Sequence, residues 1–164
     1  MSSLPVFADA LSRLHADIAI VRLIRAGIQA DRISAVFPQL RAPNSVCCWL
    51  KHFHRLPLRS KLPIAAAGLL APLFKTGVHS AKAERDLDSL GLAPELADRV
   101  LEKTREGTIV LCVHARNETE AAIAWHIFQH VGAENIMCPN YDLVLAPQSS
   151  PIATPAWAGA GLAA

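Results

Sequence analysis

Leu11, Leu14, Ile18, Val21 and Ile24 recur at steps of three and four, the period of an amphipathic helix. Gly27 follows Arg25 and Ala26, where a helix stops on a left-handed residue behind a basic last turn. After a short turn, Arg32 to Phe37 is dominated by β-formers and closes on Pro38, which predicts a strand. The second half repeats this grammar. Pro94 opens a helix whose stripe is Leu96, Ala97, Val100 and Leu101, ending before Gly107. Thr108 to His114 is then almost continuously apolar, as a central strand covered on both sides would be. Asn117 with Glu120 three residues later resembles a capping box for a helix over Glu118 to His130, which Gly132 terminates. Ile136 to Cys138 reads as a short strand ended by Pro139, and Tyr141 to Leu145 as a further edge strand.

Two strand–helix–strand halves of this kind predict a ferredoxin-like α+β sandwich, an antiparallel sheet with helices on one face. Residues 1–145 form its single domain, residues from about 39 to 86 a helical insertion between the halves, and Ala146 to Ala164 a loose Pro/Ala-rich tail. The first strand is the weakest element. Only Leu4 to Ala8 is available for it, and Pro5 confines that segment to an edge or a strand start; the 143–145 stretch is its substitute. A two-layer sheet leaves one face bare, so the chain is expected to pair with itself there, as a dimer or larger.

Composition narrows the class. The chain is 52% hydrophobic and 18% charged over 164 residues, which excludes a disordered protein and gives one domain enough core without a staple. Four Cys without framework spacing fit a reducing cytoplasm. No basic-then-apolar leader opens the sequence, and Ile64 to Phe74, between Lys61 and Lys75, reaches only about half a bilayer. The net charge of +2 hides an asymmetry: residues 32–83 carry eight basic side chains and no acid, while residues 84–164 carry five against eleven acids. Such a stretch attracts phosphates unless the acidic half neutralises it.

Within that stretch, Val46 to Leu56 reads as an amphipathic helix with Trp49, Leu50, Phe53 and Leu56 on one side. That side either packs on the core or, with Lys51, Arg55, Arg59 and Lys61 beside it, lies in an anionic headgroup layer. The chemistry available elsewhere is sparse. His126 and His130 sit at i and i+4, a spacing that can chelate a metal once a third ligand is found. The cluster from Cys47 to His54 could capture a metal or haem, although adjacent Cys47 and Cys48 chelate one zinc poorly. Cys112 and His114 share a strand face, but no phosphate loop, nucleophile elbow or carboxylate pair accompanies them. Nucleic acid is disfavoured, since one Tyr and five Phe supply no stacking platform.

The second half resembles the bacterial heat-induced or general stress proteins of the YflT-like type. The motifs are Leu90-Gly91-Leu92-Ala93-Pro94, Ala97, Gly107 to Leu111 and His130-Val131-Gly132-Ala133, with Ala26-Gly27, Ile33 to Phe37 and Pro63 to Phe74 preceding them. The likeness is best over residues 87–136. This insertion departs from the family's Gly-rich one by carrying Trp49, His52, Phe53 and His54. The resemblance implies a non-catalytic, stress-linked module. The leading expectation is therefore an interaction module in which Trp49, Lys51, Phe53, Arg55, Arg59 and Lys61 contact an anionic membrane or a protein partner, peripheral on its inner face and without a cofactor. Its rival is a metal- or haem-binding protein using His126 and His130 or the Cys47–His54 cluster.

Overall fold

The computed structural model describes residues 3–38, 53–56, 64–76 and 81–139. In chain order, β1 (Leu4–Ala10), α1 (Arg13–Arg25), a 3-10 turn (Ala30–Arg32) and β2 (Ile33–Pro38) form the first unit. β3 (Phe53–Leu56), β4 (Ile64–Ala67), α2 (Ala71–Thr76), α3 (Ala81–Ser89) and α4 (Pro94–Arg105) follow, and β5 (Ile109–Ala115), α5 (Glu118–His130) and β6 (Glu134–Met137) form the last unit. The strands make one six-stranded sheet in the order β3-β4-β2-β5-β1-β6, antiparallel at every pairing. β1 and β5 lie side by side, with β2 and β6 outside them, so the two strand–helix–strand units interleave as the α+β expectation requires. The remaining two strands come from the insertion, which therefore extends the sheet of the frame.

Side-chain alternation gives the sheet two apolar faces. Val6, Ala8, Ile33, Ala35, Leu111 and Val113 meet α1 and α5 through Ala16, Ala19, Ile20, Leu23, Ala124 and Phe128. Phe7, Val36, Ile64, Ala66, Val110 and Cys112 meet α2, α3 and α4 through Leu73, Phe74, Leu87, Val100 and Leu101. The frame helices share one face as expected. α2 and α3 of the insertion, together with α4 of the second half, cover the other, so the bare face on which self-association was expected is filled by the chain's own helices.

Local signals place most boundaries. Ser12 Oγ accepts from His15 N at 3.2 Å to cap α1, and Asn117 Oδ1 accepts from Glu120 N at 2.9 Å to cap α5. Glu120 does not complete the box on Asn117; its carboxylate accepts from Arg116 N at 2.8 Å and from the Arg116 guanidinium. At the far end of α1, Gly27 has φ +93, Ile28 N donates to Leu23 O at 3.1 Å and Gly27 N to Ile24 O at 3.0 Å. Those two bonds close a Schellman turn, which needs a left-handed residue.

β1 is an inner strand with Pro5 at its start, one of the two places expected for that residue, and β6 meets β1 only at Phe7 and Asp9, so the stretch around Pro5 also keeps an edge on that side. Three expectations change. The α1 helix forms, but with the opposite face inward. Ala16, Ala19, Ile20 and Leu23 are buried, while Leu11, Leu14, Val21 and Ile24 are exposed. Both sets have helical spacing, and the smaller set lets the helix sit close on the sheet beside α5. The helix expected over Val46 to Leu56 is absent where it is described: Phe53–Leu56 is strand β3, pairing from Phe53↔Ala67 to Leu56↔Ile64, and residues 46–52 lie outside the described residues. Ile64 to Phe74 is likewise β4, a turn and the start of α2. The strand expected at 141–145 and the tail from Ala146 also lie outside the described residues.

Candidate functional site

The acid-free segment reaches the rim of the sheet. Among the described residues β3 is the strand at one end of the sheet, joined through β4 to β2, and it carries His54 and Arg55 in sequence between Lys51 and Arg59. Arg55 is registered opposite Ala65 and His54 opposite Ala66. Strand β4, one isoleucine followed by alanines, is buried along its whole length, so it acts as a flat template on which β3 can pair. An outer strand presents backbone groups on its free side, and in sequence basic residues flank them. Of the expected interaction residues, Phe53 and Arg55 fall on this strand; Trp49, Lys51, Arg59 and Lys61 lie outside the described residues.

The buried polar groups form two other clusters. On the α4 side, Asp9 on β1 is 8% exposed and is bound by two donors. Lys103 of α4 forms an ion pair with its Oδ2, and Asn135 Nδ2 donates to the same oxygen at 2.7 Å. Asn135 holds φ +48, a left-handed conformation that asparagine tolerates better than most residues, next to the β1–β6 irregularity between Phe7 and Asp9. Phe7, Leu96, Val100, Val110 and Met137 line a shallow cleft beside this cluster, with Arg99 at its side. The arrangement ties α4 to both outer and inner strands of the frame. Ser3 Oγ adds a bond to Leu90 O at 2.8 Å. Replacing Lys103 with methionine, which keeps much of the length of the side chain but not its charge, is expected to destabilise the fold by about 2 kcal/mol, because Asp9 then loses its ion-pair partner in a mostly closed site. Urea unfolding checks this, and Asp9→Asn added to Lys103→Met is expected to recover part of the loss.

The second cluster joins β2, β5 and the turn before α2. Ser34 Oγ lies 3.0 Å from His114 Nε2, and Leu70 N donates to Ser34 Oγ at 3.2 Å. Arg32 Nη1 donates to the His114 carbonyl at 3.2 Å. Ser34 and His114 are 0% and 1% exposed. His114 Nδ1 has no partner among the described residues. Burial, assisted by the nearby Arg32 charge, lowers the His114 pKa to about 4, which keeps the ring neutral at pH 7. Cys112 is registered opposite Ser34, and burial first, then Cys138, pushes its thiol well up. The expected Cys112–His114 pairing on one face is present in position, but the ring bonds the serine instead. A Ser–His contact can activate a hydroxyl only where a substrate can reach it; this one is sealed beneath Gly68–Leu70 and serves packing.

The histidines of α5 stay on the surface. His126 and His130 are both exposed, and His130 Nδ1 lies 2.8 Å from the His126 carbonyl oxygen, turned back onto its own helix. Among the described residues, no three His, Cys, Asp or Glu side chains converge as metal ligands, so the pair gains no third ligand there. Of the Cys47–His54 cluster, only Phe53 and His54 are described, as part of β3. Glu120 belongs to a surface pair: the Arg116 hydrogen bond holds its carboxyl below the usual range.

Sequence reasoning missed Asp9, Ser34, Gly68, Lys103 and Asn135. A signal existed for two of them. Asp9 is the lone acid of an otherwise apolar strand, and Ser34 the lone hydroxyl of another; a polar side chain in a strand buried on both faces must have a partner. No protein-family model, no curated protein and no solved structure matches the chain.

Proposed function

We propose that this protein is a non-enzymatic interaction module whose basic insertion docks on an anionic membrane surface. The observation that carries the reading is the position of β3. The segment without a single carboxylate supplies, among the described residues, the strand at one end of the sheet, so part of it, Phe53–Leu56, forms a rim. Of the acids of the second half, Glu120 pairs with Arg116 of that same half. Among the described residues, no helix is long and apolar enough to cross a membrane, so the contact is peripheral. Strand geometry at 53–56 replaces the inserted amphipathic helix with a basic edge, and attraction to phosphate headgroups then carries the binding. The stress association comes from the resemblance of the second half alone.

Vesicle co-sedimentation tests this with phosphatidylcholine alone and with added phosphatidylglycerol. Binding is expected only to the anionic vesicles, weakening with salt. Each basic residue near such a surface contributes about 1 kcal/mol. Changing Lys51, Arg55, Arg59 and Lys61 to glutamate should therefore weaken binding by roughly 1,000-fold or more, with an unchanged far-UV spectrum. Equal binding by the variant and the wild type would sink the membrane reading. Loss of binding to an acidic protein, without any vesicle binding by the wild type, would replace the membrane with a protein partner.

A further inference from the structure

The outer face of α1 is apolar without serving the core. Leu11 is 58% exposed, Leu14 66%, Val21 38% and Ile24 36%, and Ile18 is half-buried between them. Leu14, Ile18 and Val21 stand at i, i+4 and i+7, one stripe of a helix, on the side opposite Ala16, Ala19, Ile20 and Leu23. The neighbouring helix of the same layer behaves differently. α5 exposes Thr119, His126, Gln129 and His130, a polar surface, so outward apolarity is a property of α1 and not of the layer. A row of large aliphatic side chains at helical spacing marks an interface more than scattered exposure does.

We propose that this face is where two copies of the chain meet, with their α1 helices antiparallel about a two-fold axis near Ala16. That register sets Leu11 opposite Val21 of the second copy and Leu14 opposite Ile18, each contact made twice. The charges agree with it. An antiparallel pair brings like flanks together, and Arg13 and Asp17 share one flank of the stripe. Arg13 of each copy then faces Asp17 of the other. Within one chain these two make a long ion pair, 3.9 Å between Arg13 Nε and Asp17 Oδ2, with side chains 39% and 33% exposed. In the pair of copies the same four groups close into an alternating ring. Antiparallel axes also set the two helix dipoles against each other favourably. A parallel pair would align the dipoles side by side and separate Arg13 from Asp17.

The helix has 13 residues, about 20 Å of length, so one helix pair buries an area at the low end of specific interfaces. The dimer is accordingly reversible and concentration-dependent. Its assignment is independent of the membrane reading, because it is measured in solution without lipid.

Sedimentation equilibrium of the full chain, with native mass spectrometry for the subunit count, is the test. Wild type should move from monomer to dimer as concentration rises, and no higher. Leu14→Glu, on a side chain the core does not use, should raise the dissociation constant at least about 30-fold while the thermal midpoint of the monomer holds. Arg13→Glu should weaken the dimer by setting a carboxylate against the second copy's acid, and Arg13→Glu with Asp17→Arg should restore it. A wild type that stays monomeric at every concentration overturns the proposal. So does a dimer indifferent to Leu14→Glu, which would place the contact elsewhere. A double variant no better than Arg13→Glu alone would refute the antiparallel register.

Discussion

Gly68→Ala is expected to cost roughly 3 kcal/mol of global stability. Gly68 holds φ +82 where β4 turns into α2, a conformation that carries a penalty for any side chain with a Cβ. Space is the greater obstacle. A Cβ at this position would stand 2.2 Å from the Ile33 carbonyl oxygen and 2.7 Å from both Ser34 Cα and Ser34 Oγ. Two of those atoms are backbone of an inner strand, so no side-chain rotation relieves the clash. The turn would have to lift from β2, and with it the Leu70 N–H that bonds Ser34. Chemical denaturation reads the loss directly, and Gly27→Ala is the control. Gly27 has φ +93 but nothing within 4 Å of its Cβ position, so it should lose only the conformational part, about 1 kcal/mol. Equal losses at the two sites would show that the close approach over Ser34 carries no weight.

Acid is expected to destabilise the fold well before its carboxylates protonate. In the unfolded chain an imidazole titrates near 6.5, whereas burial brings His114 down to about 4. Between those values the unfolded state binds more protons than the folded one, so stability falls as pH falls. The contribution is complete above about pH 6.5 and is lost progressively toward pH 4, by about 3 kcal/mol for a shift of this size. Glu120 acts in a different window. Its folded carboxyl lies below the ordinary 4.5 through Arg116, so its contribution persists above 4.5 and fades only under it. Unfolding free energy measured from pH 7 to about pH 4.5 therefore isolates the histidine. His114→Gln should flatten that slope while lowering stability at pH 7, since Ser34 loses the ring it bonds. A slope that survives the substitution would assign the acid sensitivity to another group.

Both effects arise from contacts that sequence periodicity does not register. The frame was legible because its signals are local. Asn117 caps α5 three residues before its N–H donor at Glu120; Gly27 and Gly132 end their helices in left-handed turns; and the almost continuously apolar run of β5 is buried at every residue from Ile109 to Ala115. Of the basic residues expected to act together between Lys51 and Lys61, only Arg55 falls on a described strand, and a count of cations does not say which residues a ladder will take.

Other features depended on partners far apart in sequence. Pairing with the alanines of β4 made Phe53–Leu56 a strand in a segment whose spacing suited a helix, since a ladder supplies backbone hydrogen bonds that side-chain spacing does not announce. Asp9 meets Lys103 and Asn135 only because β1 lies between α4 and β6, and Ser34 meets His114 only through the β2–β5 register. The sequence by itself determined an antiparallel α+β frame, its helix ends and an acid-free middle, each written in residues a few positions apart. The tertiary structure alone decided which of two apolar stripes on α1 faces the sheet. Close packing beside α5 favours the one built on Ala16 and Ala19, and that choice leaves Leu14, Ile18 and Val21 for a second surface.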